Sequence, residues 1–181
     1  RSRQLIWLLQ LIRQAMNDQI SPDTIAIVDS FPLPLCQSVR NHRASIFEGF
    51  KVHMLVTLSG YILNYIVTSA SVHDIKAVED LLEGCQQSVI LADLGYLSQA
   101  LKNRLKQRGY HLWTPLRQNM GSASQHNNGR LLAMRRTIET RFSELCALFD
   151  MEHTFARGVA RLQLRIEQIL LAYNLSYFEF N

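Results

Sequence analysis

The sequence has no long hydrophobic run and few cysteines. No stretch approaches the roughly 18 apolar residues that a membrane-spanning helix needs, so we expect no membrane partner. The three cysteines, Cys36, Cys85 and Cys146, form no Cys-x-x-Cys pair and leave one thiol unpaired in any disulfide scheme. The six histidines show no His-x-x-x-His spacing. These absences argue against a disulfide-rich or zinc-binding protein and favour a reducing cytoplasm.

Glycine-rich phosphate-binding loops are missing as well. Neither the P-loop nor the dinucleotide fingerprint occurs, so we expect no nucleotide cofactor. No Gly-x-Ser-x-Gly elbow is present, which disfavours a Ser-His-Asp hydrolase. Hydrophobic residues make up 48% of the chain and charged residues 19%, a composition that argues for a globular protein and against a disordered one. The length of 181 residues suits one domain with its own core.

Basic residues are concentrated in the second half of the chain. Residues 94–181 hold twelve Lys and Arg against six Asp and Glu, and ten of the twelve are Arg. Residues 1–93 hold seven against nine, so the formal net charge of +4 comes from the second half. Arg binds phosphate through parallel hydrogen bonds, which favours a nucleic acid as the partner. A solvated helical surface explains the charge equally well.

Hydrophobic periodicity predicts a mixed α/β domain in which helices cover a central sheet. Alternating or β-branched runs predict strands at residues 24–29, 48–58, 61–68, 88–93 and 110–114. Apolar residues at helical spacing predict helices at residues 5–16, 75–82, 97–108, 131–149 and 159–177. The second and third strands flank Ser59-Gly60, which is typical of a hairpin.

Punctuating residues predict where these elements begin and end. Pro32 and Pro34 should prevent the first strand from continuing as an inner strand, because proline cannot donate to an inner ladder. Residues 35–46 are expected to form a loop, and Asp74 is a favourable N-cap for the helix that follows it. Residues 117–129 are rich in Gly, Ser and Asn and predict a mobile surface loop or an interrupted lid.

Three acids stand at informative places in this pattern. Asp29 and Asp93 each end a buried strand, and the carboxyl ends of inner strands are where α/β sheets form ligand crevices. Glu139 lies one residue off the apolar stripe of its helix, about 100° around the axis, where a carboxylate can reach the sheet edge. Each acid also suits an ordinary role. The aspartates could be turn residues, and Glu139 could pair with Arg135 or Arg136.

Three carboxylates in a small space need compensating cations at neutral pH. Mg²⁺ prefers oxygen ligands and often binds through one or two carboxylates together with substrate phosphates. Two such ions about 3.5–4 Å apart can activate the attacking oxygen and stabilise the leaving oxygen of a phosphodiester. An acidic centre in a basic surround therefore points to metal-dependent cleavage of DNA.

Four segments, in this order, resemble the catalytic domain of DDE-type insertion-sequence transposases. They are VDSFPLPLC at residues 28–36, FEGFKVHMLVTLSGYILNYIVTSASVHD at 47–74, LADLGY at 91–96 and RRTIETRFSEL at 135–145. The resemblance extends from about residue 24 to the C-terminus and is greatest for the nine-eight-two insertion-sequence group. The set of segments is specific, although no single segment is.

The resemblance implies a ribonuclease H-like fold, an α/β domain whose mixed sheet of a hairpin plus parallel strands is flanked by helices. It implies that Asp29, Asp93 and Glu139 are the catalytic residues and hold two Mg²⁺ ions, for which Mn²⁺ can substitute. Such an enzyme cleaves DNA at element ends and joins the freed 3′-hydroxyl to target DNA. Its partners would be double-stranded DNA and further copies of itself, in a bacterial cytoplasm and associated with the nucleoid.

Four basic residues are further candidates for DNA contact. Arg135 and Arg136 stand beside the proposed catalytic glutamate, and their guanidinium groups suit bidentate binding of phosphate. Lys51 and His53 share one face of a predicted strand and could approach the substrate or the acids. A single histidine in a strand is more often structural, so His53 has this alternative.

Two positions depart from the pattern of related insertion-sequence groups. Cys146 stands where they have a basic residue seven positions after the glutamate, and Leu132 stands where they have a tyrosine. The arginine between these positions is present as Arg135. The differences concern how the DNA end is held and leave the expected metal ligands in place.

The family usually has a further N-terminal region that contributes to DNA binding. Residues 1–20 are therefore expected to be a helix that remains from an upstream region, and residues 24–181 to be the catalytic domain. Two other functions stay open at this point. One is a metal-dependent nuclease of the same fold that never transfers strands, and the other is a catalytically silent DNA-binding or assembly module left by truncation.

Overall fold

The computed structural model describes residues 2–19, 23–33, 49–153 and 159–177. The strands in these ranges are β1 (Ile25–Leu33), β2 (Phe50–Thr57), β3 (Ile62–Ser69), β4 (Val89–Ala92) and β5 (His111–Trp113). The α-helices are α1 (Ser2–Gln19), α2 (Val78–Leu81), α3 (Gln99–Gln107), α4 (Ala123–His126), α5 (Gly129–Phe149) and α6 (Val159–Tyr177). Single turns of 3₁₀-helix form at Asp74–Lys76 and Leu94–Tyr96.

The five strands form one mixed sheet in the order β3-β2-β1-β4-β5. β1, β2 and β3 form an antiparallel meander, while β4 runs parallel to β1 and β5 parallel to β4. The Gly60 amide donates to the Thr57 carbonyl (3.1 Å), which closes the hairpin turn that Ser59-Gly60 predicted. A hairpin plus parallel strands, flanked by helices, confirms the ribonuclease H-like sheet expected from the sequence.

Alternating residues of the central strand face two separate cores. In β1, Ile27 and Phe31 pack with residues of α5 and α6, whereas Ala26 and Val28 pack with residues of α2 and α3. All four are buried. Because successive side chains of a strand point to opposite faces, one short apolar run supplies both cores. The same alternation directs Asp29 to the face that α5 and α6 cover.

Helix α1 packs against α6 and the edge strand β3. Arg13, only 2% exposed, donates to the fully buried Glu167 carboxylate on α6 (2.8 Å) and to the Leu63 carbonyl on β3 (2.6 Å). The other side of the helix leaves five large apolar side chains exposed, namely Leu5, Trp7, Leu8, Leu11 and Ile12. The assignment of residues 1–20 to an upstream region stays a prediction.

The first strand is longer than the strand predicted at residues 24–29. β1 continues to Leu33, and Pro32 pairs with Lys51 of β2. The parallel pairing of β1 with β4 ends at Val28. Beyond that residue β1 has a neighbouring strand on one side only, so Pro32 interrupts no inner ladder and the strand can continue.

Asp74 does not cap a helix as predicted. It is the first residue of a 3₁₀ turn, not the residue before it, and its carboxylate caps no helix. The helix predicted at residues 75–82 is divided into this turn and α2. The Asp74 carboxylate instead accepts hydrogen bonds from Lys51 of β2 and Ser30 of β1. Tertiary contacts thus use a carboxylate that the local sequence assigned to a helix end.

The polar segment at residues 117–129 is more ordered than a single open loop. It contains α4, and the His126 ring stacks on Trp113 with 5.7 Å between the ring centroids. The Asn127 side chain accepts from the Leu116 amide (2.8 Å) and donates to the Leu116 carbonyl (2.9 Å). These contacts hold the segment to the chain that follows β5, and the prediction of a mobile loop or an interrupted lid stays a prediction.

Some predicted features lie outside the described residues. These are Pro34, Cys36 and the loop at residues 35–46. Cys85 and Cys146 both have free thiols. None of the helices in the described ranges combines the length and the hydrophobicity that a membrane span requires.

Candidate active site

Asp29 and Asp93 each lie just beyond the parallel pairing of β1 and β4. Asp29 stands inside β1, which continues to Leu33, and not at the end of the strand as predicted. The parallel pairing of β1 and β4 ends one residue before both aspartates. One Asp29 oxygen accepts a hydrogen bond from the Ser30 amide (2.8 Å), and one Asp93 oxygen accepts from the Gly95 amide (2.8 Å). Each aspartate therefore has one carboxylate oxygen fixed by backbone close to its own position.

Glu139 is connected to this pair through Arg135. The Arg135 Nη2 lies 2.6 Å from Glu139 Oε1, and its Nη1 lies 3.3 Å from Asp29 Oδ2. Residues four apart share one face of a helix, and the neighbouring face of α5 packs on β1, where Phe142 contacts Phe31. The Asp29 side chain is 16% exposed and that of Glu139 is 51% exposed, so the site opens from the sheet towards α5.

The Asp29 carboxyl has an unusual affinity for its proton. Burial raises its pKa from 3.8 to about 6, partly offset by the hydrogen bond from the Ser30 amide. The charges of Asp93 and Glu139 raise this pKa further, and the Arg135 guanidinium lowers it. Both other acids act on Asp29, so the three carboxylates share one electrostatic site. The structure brings the three predicted residues together, while their catalytic role stays a prediction.

The donor set suits a hard divalent cation, because all three side chains offer carboxylate oxygens. Within the described ranges, no three His, Cys, Asp or Glu side chains stand close enough to hold a metal ion. The Arg135 guanidinium lies between Asp29 and Glu139 and supplies the compensating positive charge. Asp29, Asp93 and Glu139 could hold a cation after Arg135 withdraws from this place.

An open groove extends from Asp93 to the polar segment before α5. Its lining includes Arg117, Asn119, Leu132 and Arg135. Arg117 is exposed. The groove therefore joins one of the acids to two arginines that suit phosphate. The sequence did not single out Arg117, because charge by itself does not tell which surface arginine lies beside the acids.

Arg136 and Lys51, both predicted to contact DNA, differ in their surroundings. Arg136 is exposed on α5 and is accessible to a partner. The Lys51 side chain is 21% exposed, and its Nζ donates to Asp74 Oδ1 (2.7 Å) and to the Val72 carbonyl (3.1 Å). The Lys51 ammonium group is thus already engaged within the domain.

His53 is fully buried on the same face of β2 as Lys51. Its Nε2 lies 2.9 Å from Thr68 Oγ1 on β3. Burial lowers the pKa of the imidazole, although the charge of Asp74 opposes this change. A fully buried ring cannot touch DNA, so the structure contradicts the predicted DNA contact and supports the structural alternative for His53.

Asp74 and Tyr96 lie near the acids and were not identified from the sequence as site residues. Asp74 Oδ1 is 3.3 Å from the hydroxyl of Ser30, the residue after Asp29. Tyr96 is fully buried, and its hydroxyl has no hydrogen-bond partner among the described residues. Burial raises the Tyr96 pKa, and the charges of Asp74, Asp29 and Asp93 raise it further. Both residues stand in segments that the family resemblance includes, and this was the one sign in the sequence that they could belong to the site.

Comparison with known proteins agrees with this arrangement. Residues 20–175 match the family described as the transposase DDE domain. No curated protein matches the chain. Solved structures that are similar to it share little sequence. The first is an intasome of simian T-cell lymphotropic virus in complex with the PP2A regulatory subunit B56 gamma, at 14% identity and a TM-score of 0.40.

Coverage differs between these structures. The match to the viral intasome covers 80% of this chain and 48% of that one, so the chain spans about half of its length. The catalytic domain of Mos1 mariner transposase matches at 11% identity and a TM-score of 0.39, over 98% of this chain and 95% of that one. A pre-cleavage Mos1 transpososome matches at 8% identity and a TM-score of 0.36, over 100% and 64%.

The family match covers most of the chain and includes every element that positions the acids. Asp29 on β1, Asp93 after β4 and Glu139 on α5 all lie within the matched residues. The likeness to the nine-eight-two insertion-sequence group stays a prediction. The extent of the match shows that the chain belongs to the family of transposase DDE domains.

Proposed function

We propose that this chain is the catalytic domain of a transposase that cleaves DNA at element ends and joins the 3′-hydroxyl to target DNA. The observation that supports the proposal is that the charges of Asp93 and Glu139 both act on Asp29, in a member of this family. Water attack would first free the 3′-hydroxyl, which would then attack a target phosphodiester in one transesterification step. No covalent enzyme intermediate is needed.

The acids are oriented before any ligand arrives. One oxygen each of Asp29 and Asp93 is fixed by the amides of Ser30 and Gly95, so the second oxygen of each can face a ligand. Glu139 is half exposed on a long helix and can adjust its reach. Two fixed aspartates and one glutamate that can change its position suit a site that must accept a large substrate.

Transposases of this family generally depend on divalent metal ions. We assign two Mg²⁺ ions, with Mn²⁺ as a substitute, to the carboxylates of Asp29, Asp93 and Glu139. The chemistry that such ions supply is activation of the attacking oxygen and stabilisation of the leaving oxygen. For that, Arg135 would have to leave the space between Asp29 and Glu139, and a DNA phosphate would offer its guanidinium a bidentate partner in exchange.

Double-stranded DNA, as element end and as target, is the proposed partner. Arg117 and Arg135 line the groove that begins at Asp93, and Arg136 is exposed on the same helix as Arg135. These positive charges would hold the phosphate backbone while the acids act on one linkage. Binding of this kind weakens steeply as salt concentration rises.

Transposition joins two element ends, so we propose that at least two copies of the chain assemble on DNA. Two of the similar structures are a transpososome and an intasome, which are assemblies by name, and this is a second reason to measure the number of copies on DNA. We also propose that the protein acts in a bacterial cytoplasm, associated with the nucleoid. Light scattering with and without a duplex of the element end would measure the copy number.

The first test is calorimetric titration with Mn²⁺, with and without a DNA duplex. We expect Asp29→Asn and Glu139→Ala each to weaken binding at least tenfold, because two ligands 110 positions apart would build one site. Asp80→Asn is the control, since Asp80 is an exposed acid on α2. Unchanged affinity in both variants, or no binding by the wild type under either condition, would refute the proposal.

A strand-transfer assay separates transposase from nuclease. The substrate is an element-end duplex with a pre-cut 3′-hydroxyl, mixed with a supercoiled target and Mn²⁺. Joined product supports strand transfer. Hydrolysis without joined product supports the nuclease, and DNA binding without either reaction supports the silent module. Element-end and target sequences would have to be identified beforehand by selection from random duplexes.

A further inference from the structure

The ladder between β1 and β4 does not extend to Asp29 and Asp93. The paired residues of β1 and β4 end with Val28 opposite Ala92, so both aspartates lie one residue beyond the last pair. Two ligands of one cation must keep a fixed separation if they are to act together. A contact beyond this ladder can therefore adjust the separation, and Asp74 lies close to both Ser30 and Gly95.

On one side, Asp74 is bonded to the strand that contains Asp29. Its Oδ1 accepts from the Ser30 hydroxyl (3.3 Å) and from Lys51 Nζ (2.7 Å). Lys51 also donates to the Val72 carbonyl (3.1 Å), two residues before Asp74. The Lys51 ammonium thus ties β2, the Asp74 segment and, through the shared carboxylate, β1 into one unit.

On the other side, Asp74 lies against the turn that follows Asp93. A Cβ built on Gly95 would stand 3.4 Å from Asp74 Oδ2 and 3.1 Å from Asp93 Oδ1. Both carboxylates therefore approach the same glycine, and the two 3₁₀ turns pack on each other. A side chain at position 95 would crowd the Asp93 carboxylate, while Asp74 would stay at ordinary contact distance, so Asp74 lies directly beside this turn.

Two buried polar atoms without partners surround the same carboxylate. His53 Nδ1 is 3.9 Å from Asp74 Oδ1 and makes no hydrogen bond to a described residue. The Tyr96 hydroxyl is likewise without a partner in the described ranges. Buried polar atoms are rarely left without hydrogen bonds. Their location beside Asp74 shows that this polar layer continues behind the acids, on the opposite face of the sheet from Asp29.

We propose that Asp74 is a positioning residue that sets the separation of Asp29 and Asp93, and that Lys51 holds Asp74 in place. This inference rests on the proposed function, because it concerns the spacing of the proposed metal ligands. Asp74 acts through Ser30 and Gly95 and touches neither DNA nor the reacting atoms. The family resemblance placed Lys51 near the substrate without a role, and the structure assigns it this one.

A purely electrostatic role for Asp74 makes a different prediction. As a negative charge near the site, Asp74 would attract a cation, and Lys51 would oppose that attraction. Removal of the Lys51 charge would then strengthen cation binding. If Asp74 acts by position, removal of Lys51 frees the Asp74 carboxylate and weakens cation binding. The Lys51→Met variant therefore separates position from charge.

The experiment is Mn²⁺ calorimetry on the full chain, with and without a DNA duplex. The variants are Asp74→Asn and Lys51→Met, compared with the exposed control Asp80→Asn. We expect both variants to bind Mn²⁺ about tenfold more weakly than wild type, as is usual when a residue that orients a metal ligand is lost. The control should bind like the wild type. Ser30→Ala, which removes one hydroxyl only, replaces Asp74→Asn if that variant does not fold, and should show a smaller loss in the same direction.

The outcomes separate failure of the positioning role of Asp74 from failure of the proposed function. Equal or tighter binding by Lys51→Met overturns the positioning role. Unchanged binding by Asp74→Asn does so as well, and the proposed function still stands if Asp29→Asn has lost binding. If the wild type binds no Mn²⁺ with or without DNA, the proposed function fails and this inference fails with it.

Discussion

Asp29 holds a negative charge in a mostly buried place between two other acids. Its carboxyl pKa is about 6 in the folded chain and 3.8 as a reference, chiefly because burial disfavours the charged form. A raised folded-state pKa means that the folded chain binds this proton more tightly than the unfolded chain. The stabilising contribution is therefore complete below about pH 4 and is lost as the pH rises through 6.

Asp29→Asn should therefore stabilise the metal-free fold at neutral pH. We expect the free energy of unfolding to rise by about 1–2 kcal/mol at pH 7.5 and to change little at pH 4. The change in the Asp29 pKa from 3.8 to about 6 corresponds to a gain of about 3 kcal/mol at most. Loss of the contact with Arg135 offsets part of that gain. Urea unfolding with a chelator at both pH values measures the effect. A variant less stable than wild type at pH 7.5 would contradict it, and Asp80→Asn serves as the control.

Arg135 occupies the place between two proposed metal ligands and competes with a cation for them. Arg135→Gln should therefore bind Mn²⁺ roughly fivefold more tightly than wild type without DNA, because the competing charge is gone. The same variant should bind DNA more weakly. Arg136→Gln is a matched control for the Mn²⁺ measurement, as Arg136 is the exposed neighbour on the same helix and contacts none of the acids in the described structure. Weaker Mn²⁺ binding by Arg135→Gln would show that the arginine orients the acids instead of competing with the ion.

Among the elements, α1 and α5 have different parts in positioning the site. α5 packs on β1 and brings Glu139 and Arg135 to the end of the sheet. α1 contacts α6 and β3, away from the acids, through the buried pair of Arg13 and Glu167. A buried pair of charges is strongly destabilising when only one partner is removed.

Arg13→Met should destabilise the chain by about 3–5 kcal/mol, because it leaves the Glu167 carboxylate buried without its partner. The double variant Arg13→Met with Glu167→Leu should recover most of that loss. Arg3→Met on the same helix is the control, since Arg3 is exposed. Urea unfolding of the four proteins gives the coupling energy. A small effect of Arg13→Met would support the view that residues 1–20 belong to an upstream region.

The bounds of most elements follow from local sequence patterns. The last helix was predicted at residues 159–177 and β4 at 88–93, and the structure has α6 at Val159–Tyr177 and β4 at Val89–Ala92. Apolar periodicity suffices there, because each element is defined by its own repeating face. The strand predicted at residues 24–29 extends to Leu33, because beyond Val28 it has a neighbouring strand on one side only and tolerates Pro32. Which strands lie beside it is a property of the sheet.

At the scale of the whole molecule, positive charge surrounds an acidic centre. The excess of arginine in the second half of the chain includes Arg117, Arg135 and Arg136, which lie in or beside the groove at Asp93. Such a distribution attracts a polyanion over a wide area while the acids keep the centre negative. Cation binding at the centre would remove the repulsion between the acids and a phosphate.

DNA binding should therefore depend steeply on salt. The double variant Arg117→Gln with Arg136→Gln should reduce the slope of log K against log salt by about 0.9 for each arginine that contacts a phosphate. Lys106→Gln is the control, because Lys106 is exposed on α3, at the opposite face of the sheet. Fluorescence anisotropy with a labelled duplex, at salt concentrations from about 50 to about 300 mM, measures the slope for each variant. An unchanged slope would place the DNA on another surface.

The sequence by itself predicted the fold class and the family, and it singled out the three acids, whose catalytic role stays a prediction. Each depends on local information: strand and helix periodicity, acids at the ends of apolar runs, and four ordered segments. Only the tertiary structure decided that Arg135 bridges Asp29 and Glu139, that His53 is buried, and that Asp74 bonds to Ser30 and Lys51. These contacts join residues from different elements, and their partners are chosen by strand order and helix packing. Local patterns contain no information on distances between such residues, which is why Asp74 resembled a helix cap in the sequence and proved to be a link between two strands.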